Sequence, residues 1–481
     1  MKQKSYWLFG LIGMMVITAF VIFFFWPKPA KAVDDPWAHM PEHPVHTDHT
    51  SIVNGPFNSG EEVTATCLAC HPDAAKDIMM TSHWTWESEP FEVSWRDEPV
   101  TIGKKNQLNN FCISSMGNQA RCASCHIGQG WEEIGQVEGN PMPQEQTGVD
   151  CLVCHALSGY AKGPYGNPAE GVDLVAAARS VGIPDRATCG KCHMDGGGGN
   201  GVKHGDMDES LIFPDESLDV HMGKFDLICV DCHTTENHIV KGRIVADNMV
   251  VDPEEQVSCI QCHAETPHED ERLNQHTSTL ACQTCHVPSF AIKDPTKMSW
   301  DWSTAGQDIG DNHFSYLKIK GTFVYERDVT PIYEWYNGSL EYRYLIGDQI
   351  DPEGVTYINK LAGGINDPTA KIFPFKLHVA LQPYDVNYKT ILAPITGGPD
   401  GYWTTFDWNN AFNLMEERIG IPYSGEYGFA ETHMYWPSTH MVQPKEEALQ
   451  CVECHSDNSR MDWEALGYLG DPIKFGGRFD D

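Results

Sequence analysis

The chain has 481 residues, of which 67 are acidic and 33 basic, giving a formal net charge of −34, and 17 are cysteine. That charge excludes a nucleic-acid-binding role, which needs a basic surface against phosphates, and it means that an anionic ligand would require a local basic patch. The length allows two or three ordinary domains if apolar cores do the stabilising, but the cysteine content points elsewhere.

The amino terminus opens Met1-Lys2-Gln3-Lys4, and Tyr6 to Trp26 then carries no charge. Such a run can span a bilayer as a helix. Ala30-Lys31-Ala32 offers a small-residue cleavage site, yet the apolar run is longer than a signal-peptide core, so residues 1–32 read as an uncleaved membrane anchor in preference to a signal peptide. Either way the lysines stay inside and the remainder is exported, to the periplasm or the outer face of the cytoplasmic membrane. Residues 33–61, with Pro36, Pro41, His39, His43, His46 and His49, read as a tether from which one histidine could fold back.

Sixteen cysteines fall into eight C-x-x-C-H motifs: Cys67, Cys70 and His71; Cys122, Cys125 and His126; Cys151, Cys154 and His155; Cys189, Cys192 and His193; Cys229, Cys232 and His233; Cys259, Cys262 and His263; Cys282, Cys285 and His286; Cys451, Cys454 and His455. In this motif the cysteines form thioethers to a porphyrin and the histidine binds its iron. A lone C-x-x-C suits zinc or redox chemistry, but eight copies each followed by histidine point to eight covalently attached c-type haems. Cys112 is left alone, with no partner for a disulfide.

Seven motifs crowd into residues 62–286, so the expected fold is mainly α with much irregular structure, the stacked haems themselves forming the core. A short helix from Asp73 to Trp84 would present His83, and another from Asp173 to Val181 is capped by Asp173 and stopped by Gly182 and Pro184. Lys104, Lys105 and Arg121 give the second motif a basic approach. The stretch from Cys189 to Asp206, CGKCHMDGGGGNGVKHGD, runs from the fourth motif through four glycines to Lys203. Read locally it is a flexible surface loop with a solvated lysine; read against eight irons, its glycines let backbone pass close to a flat cofactor and Lys203 reaches a second haem.

Residues 287–450 contain no motif and are the one block able to form a conventional subdomain. Its aromatics, among them Trp300, Trp302, Tyr333, Trp335, Tyr336, Tyr402 and Trp403, read as packing residues. A helix starts at Asp407 as N-cap and runs through Trp408, Ala411, Phe412, Met415 and Ile419 to Gly420. Residues 451–481 hold the eighth motif and a polar tail.

A six-coordinate haem needs a second axial ligand. Of the 22 histidines, eight belong to motifs. Outside the tether, the candidates are His83, His204, His221, His238, His268, His276, His378 and His440, with His313 and His433 in reserve. Fully ligated irons only pass electrons, so an enzyme needs one exception, and spacing does not say which.

The chain resembles the tetrathionate reductase family of octahaem c-type cytochromes from about Gly55 to Pro472. The resemblance rests on His83-Trp84-Thr85-Trp86-Glu87, Asn109-Asn110-Phe111-Cys112, Gly196 to Asp206, Pro295 to Trp302, Pro422 to Gly428 and Met434-Tyr435-Trp436-Pro437. It implies that the second haem, on Cys122 and Cys125, is catalytic and that Lys203 replaces His126 on its iron. It also implies that Cys112 lies beside the open face of that haem to engage substrate sulfur. Physically the lysine is a surprise: freeing its ammonium at neutral pH costs roughly 4 to 5 kcal/mol, whereas a histidine is already mostly neutral. His126 wins unless geometry holds it away. The chain departs from the family at Asn200, where an aspartate is expected, which removes a carboxylate from the proton path.

The implied reaction is two-electron reduction of tetrathionate to thiosulfate. The rivals are reduction of nitrite or hydroxylamine, oxidation of hydroxylamine, and a non-catalytic electron conduit. The partners expected are a small inorganic substrate of this kind, a cytochrome or quinol-linked electron donor, and the membrane through the N-terminal segment.

Overall fold

A computed structural model describes residues 14–15, 35–131, 145–242 and 256–478. The expected anchor and its cleavage site lie outside the described residues, apart from Met14 and Met15. Among the described residues, no helix is long and apolar enough to cross a membrane. Residues 36–40 and 258–267 belong to a unit of their own, built on the short turns Pro36–His39 and Cys259–Gln261. The described residues between 41 and 257 and from 268 to 478 belong to the other.

In the larger unit the motif segments are short helices fixed by side-chain caps. Helix α1, Gly60–Leu68, starts where the Ser59 hydroxyl accepts from the Glu62 N–H and ends in the first motif. The helix expected from Asp73 to Trp84 is instead two, α2 (Ala74–Met79) and α3 (Ser82–Thr85). Thr81 between them is extended, and its hydroxyl bonds the Ile78 carbonyl at 2.7 Å, a local alternative to the helical ladder. Helix α4, Leu174–Arg179, is capped by Asp173 as the sequence requires. Helix α5, Arg186–His193, carries the fourth motif behind a reciprocal cap between Asp185 and Thr188. Helices α1 to α4 share a cluster of buried residues that includes Val63, Ala75, Trp84, Trp131, Leu152 and Val153. The haem-dense region therefore has an apolar core of its own beside whatever the porphyrins contribute.

Helix exceeds strand in count of elements, and irregular backbone is extensive, but residues 287–450 hold an eight-stranded sheet that the sequence reading did not foresee. Its strands are β1 (Thr296–Asp301), β2 (Tyr316–Leu317), β3 (Gly321–Glu326), β4 (Ile332–Tyr336), β5 (Leu340–Arg343), β6 (Thr356–Leu361), β7 (Lys371–Asp385) and β8 (Tyr427–Pro437). The spatial order is β2-β3-β1-β7-β8-β6-β5, with β4 also paired to β7. Strand β7, 15 residues long, is the spine: it runs antiparallel to β8 and parallel to β1. The expected helix follows as α6, Trp408–Ile419, with Asp407 capping Asn410 and Gly420 closing it at φ 74°. Its Trp408, Ala411, Phe412 and Met415 pack with Trp300, Trp302, Met434 and Trp436 of the sheet and with Phe111 and Val202 of the haem region. One core thus joins the sheet to the loops bearing Cys112 and Lys203.

Along β7 the buried positions alternate through Pro374, Lys376, His378, Ala380 and Gln382. A strand normally turns apolar side chains inward. Here three of the five inward residues are polar or charged, and that face is the wall of the site described next.

Candidate active site

Six motif histidines face a second histidine at a nearly constant distance. Ring centres lie 6.4 Å apart for His71 and His49, 6.5 Å for His155 and His238, 6.3 Å for His193 and His83, 6.3 Å for His233 and His440, 6.2 Å for His286 and His268, and 6.3 Å for His455 and His276. Two imidazoles on opposite sides of one metal ion have centres about 6 Å apart, because each metal–nitrogen bond is about 2 Å. The residues present therefore fit six irons held between histidine pairs. Several rings are also aimed for it. Nδ1 donates to a carbonyl in His155 (Gly182, 3.0 Å), His233 (Lys241, 2.8 Å) and His276 (Arg272, 2.8 Å), and to a carboxylate in His455 (Asp471, 2.7 Å), leaving Nε2 for metal. Burial holds His83, His155, His193 and His233 below the usual histidine range, in the unprotonated form that metal binding needs.

His83, His238, His268, His276 and His440 are thus brought to motif partners, and so is His49, which the sequence reading had set aside with the tether. His204 packs its ring 4.8 Å from Trp436. His378 is fully buried, with neither ring nitrogen hydrogen-bonded. His313 packs on Phe314, and His433 bonds Glu431 at 2.7 Å. His221 lies in the turn Val220–Lys224, its backbone N–H held by Asp219 at 2.9 Å.

The second motif is different. His126 is 0% exposed and both its ring nitrogens are engaged by protein. Nδ1 accepts from the Gly128 N–H at 2.7 Å and from the Trp131 indole at 3.2 Å, so the proton sits on Nε2, which donates to the Trp84 carbonyl at 2.6 Å. The rings of Trp84, Trp86 and Trp131 surround it with centres 5.5, 4.8 and 4.6 Å away. Burial pushes its pKa down to about 3, so it stays neutral. The segment behind it is pinned by Lys162, which donates to the His126 and Gly128 carbonyls and pairs with buried Asp150 at 3.5 Å. His126 has no nitrogen left for iron.

Lys203 comes to this motif from the glycine loop. Its charge is felt by Cys125 and by His193, and its Nζ lies 5.3 Å from the Trp436 ring centre on β8. The loop needs glycine where it passes Phe111: Gly197 has φ 87°, and a Cβ there would stand 2.6 Å from the Phe111 ring. Buried Lys376 on β7 braces the loop by donating to the carbonyls of Val202 (3.0 Å) and Lys203 (3.2 Å) and to the Thr296 hydroxyl (2.5 Å). Asn200 bonds the Asp294 carboxylate through its amide N–H at 2.8 Å and accepts from the Glu209 N–H at 2.7 Å. A carboxylate therefore stands one hydrogen bond away from where the family pattern would have one.

Cys112 is half-buried, with its N–H capped by Asn109 at 2.7 Å, and it lies within electrostatic reach of Cys122 of the second motif and of Lys297 and Lys320. Lys105 pairs with Glu87 at 2.5 Å, and Arg121 lies over Trp403 at 5.6 Å. The basic residues nearest Cys112 were missed: Lys297 and Lys320 come from the sheet. The available signal was Lys297 standing inside an aromatic strand, a poor place for a solvated charge.

The sulfurs of different motifs also meet: Cys67 with Cys151, Cys125 with Cys192, and Cys189 with Cys229.

The chain is similar to known proteins. Residues 66–156 match the family described as cytochrome c554 and c-prime, residues 215–297 cytochrome c7 and related cytochrome c, and residues 297–458 bacterial cytochrome c. An uncharacterized protein of Archaeoglobus fulgidus is 25% identical over 238 residues, 40% of this chain and 79% of that one. The crystal structure of an octaheme cytochrome c from Shewanella oneidensis superposes with a TM-score of 0.81 at 45% identity, covering 89% of this chain and 98% of that chain. With its eight motifs and this extent of likeness, the chain belongs to the octahaem c-type cytochromes, the family that its sequence resembles, and it carries covalently bound c-type haems.

Proposed function

We propose that this cytochrome is an exported reductase of small sulfur oxyanions, acting at the haem on Cys122 and Cys125, and that its substrate is tetrathionate. The observation that carries the reading is His126, whose two ring nitrogens are both committed to protein groups while Lys203 stands by the same motif. The six histidine pairs would hold haems that only relay electrons. Lys203 would be the residue that holds the haem iron at the second motif, and that haem would supply the electrons for the substrate. Phe111 and Cys112 would flank that site, with the buried face of β7 as its wall.

Cleaving the central S–S bond of tetrathionate takes two electrons and releases two thiosulfates with no net proton uptake. Nitrite reduction consumes protons at every stage. Asn200 in place of a carboxylate therefore costs the first reaction little and the second a great deal. The surrounding acidity suits docking of a basic redox partner, a cytochrome or quinol-linked donor, on the outer side of the membrane.

Spectra of the oxidised protein test the reading: one haem differing from the rest, with Lys203→Ala altering that haem alone and abolishing turnover, is expected. Eight identical low-spin haems in the wild type would instead make the protein a conduit. Side-by-side assays of tetrathionate, nitrite and hydroxylamine rank the substrates, tetrathionate being expected first.

A further inference from the structure

Among the described residues, two lysines on the wall beside Cys112 are without an ion pair to a carboxylate. Lys297, on β1, is 1% exposed. Its Nζ sits 4.3 Å from the ring centre of Trp300, 4.6 Å from Phe323 and 5.9 Å from Tyr325, and its polar contact is a long 3.5 Å bond to the Phe111 carbonyl. Lys320, in the turn between β2 and β3, is half-buried, and among the described residues its ammonium has neither a hydrogen bond nor an ion pair. Each lysine lies within electrostatic reach of the other and of Cys112.

In a chain of net charge −34, carboxylates are plentiful, and lysines such as Lys76, Lys105, Lys162, Lys224, Lys293, Lys318 and Lys360 each pair with one. Burying an ammonium without a partner is costly, and placing two together adds repulsion. Aromatic faces recover part of that cost for Lys297. An incoming anion would recover the rest, and an anion is the only charge type that the pair favours. The contrast with Lys376 is instructive: its three donors are all used within the fold, so it is a brace, whereas the ammonium groups of Lys297 and Lys320 remain to be matched.

We propose that Lys297 and Lys320 form an anion-binding subsite next to Cys112 that seats the charged acid group of the substrate, a sulfonate or an oxyanion of similar size. The subsite deepens the reductase reading and rests on it. It makes charge, not shape alone, the basis of selection: a doubly charged sulfur oxyanion gains from both lysines, a singly charged one gains less, and neutral hydroxylamine gains nothing.

Cys112 gives a direct probe, because it is the one cysteine outside the motifs and so the one thiol left for alkylation in the haem-loaded protein. Labelling by iodoacetamide, read by mass, is followed at rising concentration of sulfate, a doubly charged oxyanion that does not react with the reagent. Sulfate should protect Cys112 in the wild type, and Lys297→Gln and Lys320→Gln should each raise the protecting concentration about tenfold, the effect of losing one charge-assisted contact. The same variants should raise KM for tetrathionate and leave KM for hydroxylamine unchanged. Lys320→Gln, at a half-buried site, carries the test if Lys297→Gln does not fold. Protection constants that stay within twofold of the wild type would overturn the subsite. Since protection requires no electrons, lysine-dependent protection without turnover would retain the subsite and remove the reductase reading; turnover with lysine-independent protection would do the reverse.

Discussion

Deleting Lys203 tests whether His126 is held away from iron or merely outcompeted. In Lys203→Ala the motif histidine is the obvious replacement. To bind metal it must leave the Trp84 carbonyl, the Gly128 N–H and the Trp131 indole N–H, all in a buried setting. Each polar group left unsatisfied costs about 1 to 3 kcal/mol, so withdrawal costs about 3 to 9 kcal/mol before the displaced tryptophans are counted. We expect His126 to stay. The optical and paramagnetic resonance spectra of Lys203→Ala should then match those of the double variant Lys203→Ala/His126→Ala. His126→Ala alone should keep the wild-type haem spectra but lose about 3 to 5 kcal/mol of stability through its cavity and broken hydrogen bonds. Spectra that differ between the single lysine variant and the double variant would refute the argument, since His126 would then have reached iron.

Asp150→Ala leaves Lys162, with 3% of its side chain exposed, as a buried charge without its carboxylate, and should destabilise the fold by about 3 to 5 kcal/mol in denaturant titrations; a change under about 1 kcal/mol would show that Lys162 is stabilised by the carbonyls alone. Asp206 accepts from the His440 ring at 3.2 Å and from the Thr439 and His440 N–H groups at 2.6 and 2.8 Å, so Asp206→Asn should make His440 a less basic ligand and raise the potential of the haem on Cys229 and Cys232. An unchanged potentiometric titration would count against that assignment. The anion subsite should weaken as pH rises from ~6 to ~8. Burial, reinforced by Lys320 and opposed by Cys112, pushes the Lys297 pKa down to about 7; Tyr325, Lys376 and His378 are the other titratable groups facing it. Below that value it is charged and binds anions. Between it and the ordinary lysine range the unfolded chain keeps a proton that the folded one lacks, so stability rises with pH there, and Lys297→Met should flatten both trends.

The motif spacing alone announced the haems, because covalent attachment is a local requirement. Pairing of ligands was not legible, because His83 meets His193 and His49 meets His71 through folding that no short pattern encodes. His49 was passed over for its proline-rich, irregular surroundings, although ligation demands only a reachable imidazole. The sheet was missed for a related reason. Strand β7 reads KIFPFKLHVALQPYD, and the polar Lys376, His378 and Gln382 fall on its inward side, so the usual signature of a half-buried strand is reversed where it lines the site. Helix α6 was legible from Asp407 to Gly420 because its caps and its apolar stripe agree. The lysine question was framed by sequence chemistry, which priced ammonium against imidazole, and its answer lay in three hydrogen bonds and three tryptophans that only tertiary structure assembles around His126.

The meeting of sulfurs bears on how current can be distributed. Cys192 and Cys189 of the fourth motif touch the second and fifth motifs, and Cys154 of the third is close to both. Cys67 extends the third to the first. Among the first five motifs the fourth is thus a junction of three branches, with the second on one of them, while Cys285 of the seventh lies by Cys451 and Cys454 of the eighth in a separate pair. On the proposed reading, a molecule wired in this way would gather charge from several entry points and discharge it at the second motif. Interrupting an outer branch would then trim its capacity, and interrupting the junction would silence it.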